Sequence, residues 1–158
     1  MMEVIDNFLP DYQFKQLQST LLSSDFPWFW NQGICDSEDP FFQFYHCFYH
    51  IDRGYSEYGS LLSYIESKLN YKKLYRIKSN ITTRTLFHRK TGYHNDYDDM
   101  TTSVFYINTT NGWTQFKNGD KVKSVSNRIV TFDSNLIHQG VTTTDEKRKV
   151  VINFNYLL

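Results

Sequence analysis

The stretch MTTSVFYINTTNGWTQFKNGDKVKSVSNRIVTFD, residues 100–133, decides the fold class of this chain. MTTSVFYIN, WTQF, DKVKSVS and RIVTFD each read as a short strand, and NTTNG and KNGD supply the turns between them. Upstream, LYRIKSNITTRTLF (74–87) alternates for a dozen residues and is rich in β-branched Ile and Thr. Downstream, DSN is a further turn and KVVINFNYL a last strand, whose apolar end predicts a central strand. Seven or eight short strands in succession predict a sandwich or jelly roll.

The first third of the chain has a different period. Pro10 opens a segment in which Phe14, Leu17, Leu21 and Leu22 follow a helical stripe. Tyr58, Leu61, Leu62, Ile65 and Leu69 repeat that spacing between Gly59 and Asn70, with Gly59 weakening the first turn. Between them, FPWFW to FFQFYHCFYH reads as irregular structure with a short strand. The expectation is an α+β, mainly β chain of one domain, 1–158. Residues 1–73 form a helical and irregular support with two helices, and residues 74–158 form the β core.

Composition narrows the function classes. With 158 residues the chain is long enough to bury a core, and 18% aromatic content suits packed sheets. Seventeen basic residues balance seventeen acidic ones, which gives no reason to expect a nucleic acid or an acidic membrane as partner. No stretch has the apolar length of a membrane span, and MMEVIDNFLP lacks the features of a signal peptide. Cys35 and Cys47 are too few for a disulfide framework or a zinc cluster. A cytoplasmic protein with free thiols is expected.

Chemistry enters with GYHNDYDD, residues 92–99. On a strand, side chains at i and i+2 share a face, so His94 and Asp96 can ligate one ion. His138, after the apolar strand RIVTFD, is the natural third ligand. Two imidazoles and one carboxylate leave three positions open, the pattern of non-haem iron(II) oxygenases. His50 and Asp52 repeat the His-x-Asp spacing ahead of the helix at Tyr58 and read as a surface or locally bonded pair. In RKVVINFNY, alternation places Arg148, Val150, Ile152, Phe154 and Tyr156 on one face, with Lys149, Val151, Asn153 and Asn155 on the other. An arginine on the apolar face would be resolved by pairing with a dicarboxylate. Its competing role is a turn salt bridge to Asp145 or Glu146.

These residues resemble the 2-oxoglutarate- and iron(II)-dependent oxygenases, in which His-x-Asp…His holds iron and a later basic residue holds 2-oxoglutarate. VIDNFLP, FPWFW, LYRIKSN, YHNDYDD, TTSVFYINTTNGWTQF, NRIVTFDSNLIHQG and RKVVINFNY carry the resemblance over nearly the whole chain. It is similar to small oxygenases of marine bacteriophages and, more distantly, to prolyl hydroxylases. The resemblance implies a double-stranded β-helix core, with iron on His94, Asp96 and His138 and the far carboxylate of 2-oxoglutarate on Arg148. It gives Tyr106 a hydrogen bond to that carboxylate. The chain departs from the pattern at Arg84, where such enzymes have a tyrosine, which leaves Asn80 and Thr82 as candidates for the near carboxylate.

The expected activity is hydroxylation of a C–H bond with release of succinate and carbon dioxide, with ascorbate as reductant. A peptide, peptidyl proline above all, or a small molecule is the expected substrate, with residues 28–50 and 85–93 as lids. The Arg-x-Asn-x-Thr-x-Arg run of the superfamily's nucleic-acid demethylases is absent, since Phe154 stands where the second arginine would be. In a phage-encoded chain the compartment would be the host cytoplasm. The alternative is a catalytically inactive double-stranded β-helix module that binds a metal and a partner.

Overall fold

The computed structural model describes residues 2–34 and 41–158. Strand β1 (Met2–Ile5) leads to helix α1 (Asp11–Leu22), and β2 (Phe29–Asn31), β3 (Gln43–His50) and β4 (Gly54–Tyr55) follow. A 3-10 turn (Gly59–Leu62) runs into α2 (Ser63–Leu69). The remaining strands are β5 (Lys73–Thr83), β6 (Thr101–Tyr106), β7 (Trp113–Phe116), β8 (Lys121–Lys123), β9 (Arg128–Asp133), β10 (His138–Val141) and β11 (Arg148–Leu157).

Every strand pairing is antiparallel, in two sheets. The larger has the order β1-β9-β6-β11-β5-β3-β2, with β4 beside β3, and the smaller has the order β10-β7-β8. Bridges Lys90↔Val141 and His94↔His138 add residues 90–94 to the free edge of β10. The two sheets face each other as a jelly roll, and the C-terminal β11 lies between β5 and β6.

The larger sheet has two unlike faces. Toward the helices, Ile77 and Ile81 of β5 and Val150, Ile152, Phe154 and Tyr156 of β11 pack on Phe14, Leu17, Leu21 and Ile65. Each such burial removes apolar surface worth about 1.5–3 kcal/mol per side chain. Toward the smaller sheet, a second cluster of Val104, Tyr106, Phe116, Val122, Val130 and Phe132 closes one end of the roll. The rest of that inner face is polar and lines a cavity.

Both helical segments form where the apolar stripes lie. Pro10 sits at the N-cap of α1, and Asn70 ends α2 in the left-handed conformation, φ 48°. Gly59 is required by packing, because a Cβ there would meet the Tyr55 ring at 2.6 Å. One expectation needs correction, and one strand is new. Residues 43–50 are not irregular but an eight-residue strand hydrogen-bonded to β5, so this part is not a lid. Residues 2–5 add a strand on β9 that their short sequence does not announce. Cys47 is a free thiol, and Cys35 lies outside the described residues. No helix among the described residues is long and apolar enough to cross a membrane.

Candidate metal centre

His94 and His138 face each other across the bridge that joins residues 90–94 to β10. Each backbone N–H donates to the other residue's carbonyl at 2.9 Å, and the ring centroids lie 4.7 Å apart. Asp96, two residues on, completes a group whose ligand atoms all lie within 4.8 Å of one another. Nδ1 of His94 meets the Gly92 carbonyl at 3.1 Å, and Nδ1 of His138 meets the Leu136 carbonyl at 3.1 Å. A carbonyl only accepts, so each ring carries a proton on Nδ1, which leaves Nε2 as the nitrogen for a metal. Burial pushes His138 below the ordinary imidazole range, with Asp96 opposing, which favours the neutral ring that metals bind.

Asp96 is held as a carboxylate. Burial by itself would raise its pKa, but Arg76, the two histidines and Asn155 outweigh it and hold the group below its ordinary value. Arg76 Nη2 donates to Oδ1 at 3.3 Å, while Thr102 Oγ1 and Asn155 Nδ2 donate to Oδ2 at 3.3 and 3.2 Å. His50 and Asp52 instead form a 3.6 Å pair in the turn after β3, with the Asp52 side chain 81% exposed.

A cavity of about 280 Å³ opens from this group between the sheets. Its wall on the larger sheet is the polar face: Arg76, Lys78, Asn80 and Thr82 from β5, and Val151 and Asn153 from β11. At its far end stands Lys149, which is 4% exposed. Nζ donates to the carbonyls of Val141 (2.7 Å) and Trp113 (3.2 Å), leaving one N–H for a further acceptor. Among the described residues no carboxylate lies within ion-pair distance, and burial pushes its pKa down to about 7. One glycine makes room for this side chain: a Cβ on Gly112 would meet Lys149 Cδ at 3.1 Å and the Val141 carbonyl at 2.8 Å.

Arg148 is not among the residues that line this cavity. The apolar face of β11 is the one that packs on the helices, and Arg148 points there too. Its Nη2 donates to the carbonyl of Leu22, the last residue of α1. A cation at that helix end meets both an orphan carbonyl and the negative end of the dipole. Lys149, one residue on, takes the inner face. The alternation holds the signal that finds it, since the more polar face of a strand can be the one that lines a site.

Tyr106 is fully buried behind the cavity wall. Its hydroxyl pairs with Thr114 Oγ1 at 2.6 Å, and Thr114 does line the cavity. Asn80 and Thr82 also line it, and Asn80 Oδ1, Thr82 Oγ1 and Asn153 Oδ1 are buried atoms with no hydrogen-bond partner among the described residues. A positively charged group at one end, metal-ligand atoms at the other and unmet polar atoms between them fit a small anionic chelator.

No family model and no curated protein matches the sequence. Solved structures do match. A Trichoplax adhaerens prolyl hydroxylase, solved with a hypoxia inducible factor oxygen degradation domain peptide fragment, has a TM-score of 0.67 at 15% identity, covering 98% of this chain and 83% of that one. A Pseudomonas putida prolyl-4-hydroxylase gives 0.61 at 15% identity, covering 99% and 92%. The carbocyclase SnoK of nogalamycin biosynthesis, described as non-heme and alpha-ketoglutarate dependent, gives 0.70 at 11%, covering 98% and 78%. The fold is that of the 2-oxoglutarate- and iron(II)-dependent oxygenases. In this oxygenase fold the His94–Asp96–His138 group lies between the two sheets, where residues 92–96 meet β10.

Proposed function

We propose that the chain is an iron(II)- and 2-oxoglutarate-dependent oxygenase that hydroxylates a C–H bond. The observation that carries this reading is Lys149, a buried lysine with no carboxylate partner among the described residues, in the same cavity as a three-residue metal-ligand group. Keeping an ammonium there is costly unless an anion joins it.

His94, Asp96 and His138 would hold iron(II), with both imidazoles presenting Nε2. Iron(II) with bound 2-oxoglutarate supplies oxidation of a C–H bond by dioxygen, with release of succinate and carbon dioxide. Lys149, in place of Arg148, binds the far carboxylate of 2-oxoglutarate through its remaining N–H. Thr114 stands across from Gly140 and lines the same cavity, and Tyr106 acts through it by fixing its hydroxyl. Gly140 follows His138 by two residues, about 6.7 Å along a strand, and its missing side chain leaves a path for a five-carbon dicarboxylate. Asn80, Thr82 and Asn153 are the polar groups at hand for the near carboxylate.

The substrate class we put forward is a peptide containing proline, on the fold shared with two prolyl hydroxylases. Ascorbate as reductant and a cytoplasmic location, in a host cell if the chain is phage-encoded, belong to the same proposal. The test is succinate formation from 2-oxoglutarate with iron(II), ascorbate and oxygen, over a panel of prolyl peptides and small metabolites. Succinate above a His94→Ala control is expected, and its absence with every substrate overturns the enzyme reading.

A further inference from the structure

Helix α2 and the turn before it border a second cavity, of about 500 Å³, that shares no lining residue with the one at the metal centre. Tyr55 of β4, Glu66 of α2 and Tyr71 just after α2 line it, with Ser60, Ser63 and Ser67 along the helical wall. Both tyrosine hydroxyls donate to one carboxylate oxygen, Glu66 Oε2, at 2.6 Å from Tyr55 and 2.8 Å from Tyr71. Burial and then the Glu66 carboxylate push both phenols above their ordinary range, so both keep their protons. Neighbouring rings brace them. Tyr55 lies 4.6 Å from the Tyr49 ring and against Gly59, and Tyr71 lies 6.0 Å from the Tyr156 ring. Among the described residues no lysine, arginine or histidine lies within ion-pair distance of Glu66. Lys68, two residues on, sits over the Phe8 ring instead.

The polar hydrogens of this site already have protein acceptors. Those of Tyr55 and Tyr71 go to Glu66, and that of Ser67 goes to the Tyr64 carbonyl at 3.0 Å. What these groups offer a ligand is lone pairs: on the three hydroxyl oxygens and on Glu66 Oε1, to which no described residue donates. An anionic set of acceptors matches a cation that only donates. An ammonium has three N–H donors and no acceptor, and tyrosine rings suit both its charge and the alkyl chain behind it. We infer that Glu66, Tyr55, Tyr71 and Ser67 form a binding site for a primary alkylammonium group, carried by a free polyamine or by a lysine side chain. This site is independent of the metal centre and of the oxygenase reading.

The test is titration of n-butylammonium into the full chain with carbon-13-labelled tyrosine rings, followed by NMR. Saturable shifts at Tyr55 and Tyr71 are expected, with the exposed Tyr12 unmoved. Tetramethylammonium carries the charge without N–H donors and should bind about tenfold more weakly or worse. Equal binding of the two cations overturns the assignment. Glu66→Gln should weaken n-butylammonium by about tenfold or more. Ser63→Lys, one helical turn before Glu66, should abolish binding by bringing its own ammonium to the carboxylate, and it carries the test if Glu66→Gln does not fold. No saturable shift in the wild-type chain, or wild-type affinity in both variants, overturns the site. Spermidine and an acetylated, amidated Gly-Lys-Gly peptide separate the two sources. Tighter binding of spermidine assigns the site to free polyamines, and tighter binding of the peptide assigns it to a lysine of a partner chain.

Discussion

His94 and His138 form a mutually hydrogen-bonded cross-strand pair, each N–H on the other's carbonyl at 2.9 Å. The pairing of residues 90–94 with β10 therefore sets the distance between the two imidazoles. An ion bound to both rings would add a second tie between residues 92–96 and β10.

Metal should therefore stabilise the fold measurably. At a concentration about 100 times its Kd, a ligand that binds only the native state adds about 2.7 kcal/mol. Mn(II) should raise the Tm of the wild-type chain and leave that of His138→Ala unchanged, as read by differential scanning calorimetry.

Lys149 gives the chain a pH-dependent stability with a definite sign. Its pKa in the fold is about 7, against an ordinary value of 10.5. Between those values the unfolded chain binds more protons, so the stability of the ligand-free protein should rise with pH across the window from about 7 to about 10.5. Below about 7 the full cost of burying the ammonium is present. Affinity for 2-oxoglutarate should run the other way and fall as pH rises above 7, because the carboxylate needs the protonated lysine. Denaturant unfolding with and without 2-oxoglutarate, at several pH values, checks both slopes.

Arg148→Ala should act on stability and leave the site intact. The substitution removes the cation from the C-terminus of α1 and exposes the orphan Leu22 carbonyl, a loss of about 1 kcal/mol. Urea unfolding should show that loss, while Mn(II) affinity stays at the wild-type value.

Core truncation on the helix side should cost more. Ile152→Ala, at a position with no solvent exposure, should destabilise by about 2–5 kcal/mol through lost burial and the cavity left behind. The same urea titration measures it.

Much of this was legible in the residues. The alternation of 74–83 and 148–157, the turns at NTTNG and KNGD, and the stripes through Leu17 and Ile65 all became the elements they suggest, while the last four residues of the alternating run, 84–87, left the strand. The His94, Asp96 and His138 spacing converged in space. What the pattern concealed was which face of β11 meets the site. Tyr106 and Phe154 are both fully buried, yet one packs between the sheets and the other under the helices. Apolar character marks burial and not the side of the sheet, so Arg148 looked like the stranded cation when Lys149 was the buried one. Strand β3 was hidden for a related reason. Its aromatic run QFYHCFYH has little polar alternation, because rings cover both of its faces. The Arg76–Asp96 contact joins residues twenty apart and depends on register, which no spacing in the sequence displays.

The most direct test of the account is calorimetric titration of 2-oxoglutarate into the Mn(II)-loaded chain and its Lys149→Met and Arg148→Met variants. Binding should fall about 100-fold in Lys149→Met, the loss typical of removing one partner of a buried charge pair, and stay at the wild-type value in Arg148→Met. Equal affinity in the wild-type chain and Lys149→Met, or a loss confined to Arg148→Met, would contradict it.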